Sequence, residues 1–158
     1  MRLLLLLGMF LTVSGCSCAC AASQWQSFAY RLSGFVAGEG DGAIQVRDGY
    51  LPVPAGAPQL REDRLPEGTG ALALFCFQQR SGGKLKGQAG FAPMGGVAVT
   101  VTGNSLTLAA RTDASGYLIL ALPPGSYQLH LFGLSKTVQV ESGTTALVAT
   151  RGGKRMVD

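Results

Sequence analysis

The feature that most constrains this chain is the period-two alternation in its second half. Val97, Val99 and Val101 alternate with Ala98, Thr100 and Thr102, so one side of the segment is apolar and the other tolerates water, the pattern of a half-buried strand. Leu106 and Leu108 begin a second strand, Tyr117 to Leu122 forms a third and Ser126 to Leu131 a fourth. Lys136 to Val140 and Thr145 to Thr150 give two more, on either side of Ser142-Gly143. No amphipathic helical period stands out. Gly at 23 of 158 positions, with many Val, Leu and Thr, favours short strands joined by tight turns.

Two of the turns carry a mechanism in their residues. In Thr112-Asp113-Ala114-Ser115-Gly116-Tyr117, the Asp113 carboxylate can accept bonds from backbone amides two residues on, and Gly116 can take the positive φ that closes the turn. In Pro123-Pro124-Gly125, a proline pre-sets one backbone angle and the glycine frees the next.

The first half is less regular. Trp25 to Val36 holds enough aromatic and apolar residues for a strand, and the cluster Gly38-Glu39-Gly40-Asp41-Gly42 leads into the alternating Ala43 to Arg47, which predicts a hairpin. From Leu51 to Gly70 the chain carries Pro52, Pro54, Pro58 and Pro66; few backbone donors remain for a ladder, so this reads as a connector or a draped edge. Ala71 to Gln78 resumes an apolar strand, and Arg80 to Gly90 supplies an exposed basic turn around Lys84 and Lys86.

The amino terminus is laid out as an export signal. Arg2 is followed by the apolar run Leu3 to Val13 and then by small residues at Ser14, Gly15, Ala19, Ala21 and Ala22. The run falls short of the roughly 20 apolar residues of a membrane span. Val13-Ser14-Gly15-Cys16 resembles the lipobox of bacterial lipoproteins, which implies cleavage before Cys16, acyl chains on its thiol and attachment to the cell envelope. Ser17 is similar to the following residue of lipoproteins sent to the outer membrane. Ordinary cleavage after Ala19-Cys20-Ala21, giving a secreted product, also meets the small-residue requirement.

In the second half, Gly96 to Val101, Thr112-Asp113 with Gly116-Tyr117, and Leu122 to Tyr127 follow one another in register. Together they resemble the carboxypeptidase regulatory-like domains, whose fold is a prealbumin-like (transthyretin-like) Greek-key β-sandwich. The resemblance covers about residues 71–151 and implies a structural or binding module. The expected organisation is an all-β chain with a signal peptide at 1–15, a lipidated tether at 16–24, and a β-hairpin with Pro-rich connector at 25–70. The sandwich at 71–151 and a flexible tail at 152–158 complete it.

Catalytic readings fare poorly. His130 is the sole histidine, between Leu129 and Leu131 in a strand, and reads as a packed or edge residue. Ser126 lacks the Gly-x-Ser-x-Gly elbow that would make a nucleophile with His130 and Asp113. Transthyretin-like hydrolases of a purine-derived ring use several histidines and a terminal Tyr-Arg-Gly-Ser, which Thr150-Arg151-Gly152-Gly153 only echoes. An internal Lys-Asn crosslink is disfavoured, since the sole asparagine, Asn104, lies in a turn.

Cys16, Cys18 and Cys20 are too close for a closed zinc site, Cys76 between Phe75 and Phe77 reads as a small buried hydrophobe, and Glu39, Asp41 and Asp48 match no calcium loop. The expectation is a non-enzyme without cofactor or metal. A net charge of +4 without a basic run gives no nucleic-acid footprint. The expected partners are a membrane, through Cys16, and an envelope protein or a glycan. A carbohydrate-binding accessory is the alternative function, with Trp25, Tyr50 and Tyr117 as the aromatic surface.

Overall fold

A computed structural model describes residues 24–31, 33–56, 62–80 and 90–153. Cys16, Cys18, Cys20, Lys84 and Lys86, and residues 154–158, lie outside them. The described chain is all-β: β1 (Gln26–Arg31), β2 (Gly34–Ala37), β3 (Ile44–Val46), β4 (Val53–Pro54), β5 (Gly70–Arg80) and β6 (Gly90–Pro93) form the first half. Then follow β7 (Ala98–Gly103), β8 (Leu106–Arg111), β9 (Tyr117–Leu122), β10 (Gly125–Leu131), β11 (Leu134–Val140) and β12 (Thr145–Arg151).

Three sheets stack. The carboxy-terminal sandwich joins the sheet β11-β10-β7-β8 to the sheet β12-β5-β6, in which β9 also pairs with β5. Between them lie Leu72, Leu74, Cys76, Leu118 and Val148 from one sheet and Val99, Val101, Tyr127, Leu129 and Val140 from the other. The third sheet, β2-β1-β3-β4, covers the opposite face of β5. There Ala73, Phe75 and Phe77 meet Ile44, with Phe28, Tyr30, Phe35 and Val46 packed on them. Ala71 to Phe77 are all buried, because successive side chains of one strand point into two different cores.

The second core is aromatic. The Tyr30 ring lies 4.7 Å from Phe77, 5.2 Å from Phe91 and 5.6 Å from Phe35, and Phe75 stacks on Tyr117 at 4.8 Å. Such pairs add about 0.5–1.5 kcal/mol each beyond their area burial. The amino-terminal segment is therefore built into the sandwich by its own core.

One expectation is corrected and two others gain their pairing. The stretch expected as one strand over Trp25 to Val36 is split, and the returning β3 pairs with β1, which is flanked by β2 and β3. The Pro-rich segment contributes β4 at the sheet edge, with Pro54 opposite Ile44, a position where a missing backbone donor is tolerated. The last two strands do not pair with each other: β11 pairs with β10, while β12 crosses over to lie parallel to β5.

The two turns take the geometry their residues demand. Asp113 Oδ1 accepts from the backbone amides of Ser115 and Tyr117, both at 2.9 Å, and from the Ser115 hydroxyl at 2.6 Å. Gly116 has φ +79°, and a Cβ there would sit 2.6 Å from the Cys76 carbonyl oxygen. In the other turn Tyr127 donates its phenolic hydrogen to the Pro123 carbonyl at 2.8 Å, and Asn104 donates its amide to Pro124 at 2.8 Å. The Asn104 side chain occupies the space a Cβ of Gly125 would need.

Candidate functional site

Of the three aromatics expected on a ligand surface, one is not on the surface at all. Tyr117 is 1% exposed. It leaves the Asp113 turn pointing into the aromatic core, where its hydroxyl donates to the Gly42 carbonyl at 2.6 Å. Burial, with the nearby Asp113 charge adding to it, pushes its phenol well above the usual range.

Trp25 and Tyr50 do come together, with ring centroids 5.8 Å apart and a tilt of 57°. Two arginines that sequence reasoning passed over complete the group. The Arg47 guanidinium carbon lies over the Tyr50 ring at 4.3 Å and that of Arg64 at 5.7 Å. Local pairing explains the arrangement: Tyr50 and Arg64 form an isolated antiparallel bridge, and Arg47 directly follows β3, whose Val46 is opposite Gln26 of β1. Trp25, Tyr50 and Arg47 are half-buried and Arg64 is exposed.

The group has unmet hydrogen-bonding capacity. Trp25 Nε1 and Arg47 Nε are buried donors without a partner, as is the Thr145 hydroxyl. Arg47 and Thr145 line a crevice of about 220 Å³, together with Gln24, Gln26, Asp48 and Thr144. The crevice lies where the described chain begins and where β12 starts.

The opposite end of β12 carries a different surface. Phe132 and Leu134, at the β10–β11 turn, are 41% and 58% exposed and lie with Arg151 and Gly153 around an open depression. Phe132 adopts φ +52°, and its ring lies where a Cβ on Gly152 would go. A larger cleft of about 650 Å³ runs between Phe28, Tyr30 and Phe35 on one side and Lys136 and Leu147 on the other. Lys136 donates to the Ala149 carbonyl at 3.0 Å, blunting the free edge of β12 with a charge.

His130 sits on β10 with Nδ1 2.7 Å from the Ser135 hydroxyl and Nε2 3.4 Å from that of Thr102. Both ring nitrogens face hydroxyls of the adjoining strands; neither faces a carboxylate. Asp113 is engaged by Ser115 and Tyr117 of its own turn and the His130 nitrogens by Ser135 and Thr102, so Ser126, Asp113 and His130 are not joined as a triad. Among the described residues, no three His, Cys, Asp or Glu side chains gather as a metal set. The Cys76 thiol is buried, and burial pushes its pKa up to about 11.

No family model matches the chain, and no curated protein matches it. Among solved structures the chain is similar to the Bacillus anthracis TIE protein, with 15% identity and a TM-score of 0.43. That match covers 69% of this chain and 24% of the other, so the chain spans about a quarter of that protein's length.

Proposed function

We propose that this is a lipid-anchored protein of the bacterial cell envelope, whose β-sandwich is a non-catalytic binding or spacing module like the carboxypeptidase regulatory-like domains it resembles. The observation that carries the proposal is the placement of the Trp25, Tyr50, Arg47 and Arg64 group beside Gln24. Cys16 precedes Gln24 by eight residues, which extend to at most about 28 Å. A chain held at Cys16 therefore presents this surface close to its anchor and the Phe132–Leu134 turn away from it.

The carbohydrate-binding alternative loses support from the geometry. Tyr117 is buried, and the remaining pair is tilted with a guanidinium over Tyr50, which does not make the flat aromatic platform a sugar ring stacks on. Envelope fractionation of wild type and Cys16→Ser tests the proposal, with a fatty-acid analogue supplied during growth. Label on the wild type and its loss, with release from the membrane fraction, in the variant is the expected result. An unlabelled wild type that binds envelope polysaccharides in a pull-down overturns it in favour of the secreted accessory protein.

A further inference from the structure

We infer that the Trp25–Tyr50–Arg47–Arg64 group is a docking site for the phosphate headgroups of anionic lipids on the membrane that carries the anchor, an inference that rests on the envelope reading above. Two guanidinium carbons are held within 6 Å of one ring centroid, at 4.3 and 5.7 Å. Two positive charges are thereby gathered about one aromatic ring, which favours an anion there. Guanidinium is also the side chain best matched to phosphate oxygens, through its planar fork of donors.

The aromatic partners narrow the choice of anion carrier. Trp and Tyr suit a membrane interface, where one end of the ring system is apolar and the other wet. Here the indole of Trp25 is half-buried and its Nε1 has no acceptor, as is true of Arg47 Nε. The carboxylate lining the adjoining crevice among the described residues is Asp48, next in the chain to Arg47, while the Arg64 side chain is exposed. Position supplies the remaining argument: the group stands at the end of the fold where the tether enters, within reach of the bilayer that holds Cys16.

Trp25 is the sole tryptophan, so its fluorescence reports on this site alone. The full chain is reconstituted in vesicles of phosphatidylcholine, with or without phosphatidylglycerol, and quenching is read with lipids brominated near the headgroup end of the acyl chains. Phosphatidylglycerol should shift Trp25 emission to the blue and increase its quenching, and added salt should reverse both. The docked-to-undocked ratio should fall about fivefold for each guanidinium lost, in Arg64→Gln and further in Arg47→Gln/Arg64→Gln. Should the double variant unfold, the exposed Arg64→Gln change and the salt titration carry the test. Equal quenching in the two vesicle types, or Arg64→Gln indistinguishable from wild type, overturns the inference. A matching emission shift with inorganic phosphate in detergent, without vesicles, overturns the headgroup assignment in favour of a soluble phosphate ester. Fatty-acid labelling reads the anchor separately: an unlabelled chain whose Trp25 still responds to phosphatidylglycerol removes the anchor and leaves the site.

Discussion

Tyr117 and Gly42 are 75 positions apart, and the phenolic hydroxyl of the first donates to the carbonyl of the second at 2.6 Å. One residue opens β9 of the sandwich; the other is in the loop that feeds β3. The bond therefore ties the amino-terminal sheet to the sheet it covers. At Gly42 the backbone has φ +64°, and a Cβ would meet the Phe75 ring at 2.6 Å, so only a glycine lets the carbonyl come this close.

Tyr117→Phe keeps the ring in its stack on Phe75 and removes the bond. The Gly42 carbonyl is left without its donor, at an expected loss of about 1–2 kcal/mol. Chemical denaturation followed by near-ultraviolet circular dichroism measures it. A stability equal to wild type would mean that the bond contributes nothing to holding the third layer.

Gly42→Ala should cost more, about 2–4 kcal/mol, because it combines a disfavoured positive φ with overpacking against Phe75. The two sheets share one aromatic core, so the loss should appear in a single unfolding transition. Two separate transitions would show that the amino-terminal sheet folds apart from the sandwich.

Gly116→Val places a β-branched residue at φ +79° with its Cβ against the Cys76 carbonyl, and a loss of about 3 kcal/mol or more is expected. Asp113→Ala should cost about 1–3 kcal/mol, since three donors lose one acceptor oxygen. Thermal unfolding of both variants checks the turn; unchanged midpoints would contradict it.

Stability should fall in alkali for a reason traceable to two side chains. The Cys76 thiol is raised by burial from 9.0 to about 11, so above pH 9 the unfolded chain releases a proton that the folded chain keeps. The contribution is complete below pH 9 and is lost as pH rises through about 11. Tyr117, raised from 10.0 by burial and by Asp113, adds to the loss above pH 10 with the same sign. Urea midpoints measured from pH 8 to 11 should decline, and Cys76→Ala should flatten the first part of that decline. A parallel decline in the variant would assign the slope to other groups.

Much of the sandwich was legible because its strands have one wet face. Val99 and Val101 are buried and Thr100 and Thr102 are not, as the alternation requires, and Asp113 and Gly116 occupy the roles their turn chemistry predicts. The third layer was harder to read. Its sign was the unbroken apolar run Ala71 to Phe77, which has no wet face because β5 is covered on both sides, and an unalternating run says nothing of what covers it. Tyr117 was misplaced for a related reason: a residue leaving an exposed turn reads as exposed until the second core is known. Arg47 and Arg64 left no signal, since they meet only through the Tyr50–Arg64 bridge across a Pro-rich segment without periodicity.

The central claim, an envelope module held at Cys16 beside its aromatic and arginine surface, is tested most directly by the intact mass of the mature chain with its amino-terminal peptide. The predicted result is a chain beginning at Cys16, with a thioether-linked diacylglyceryl group on that residue. An unmodified chain beginning at Ala22, or one that still begins at Met1, would contradict it.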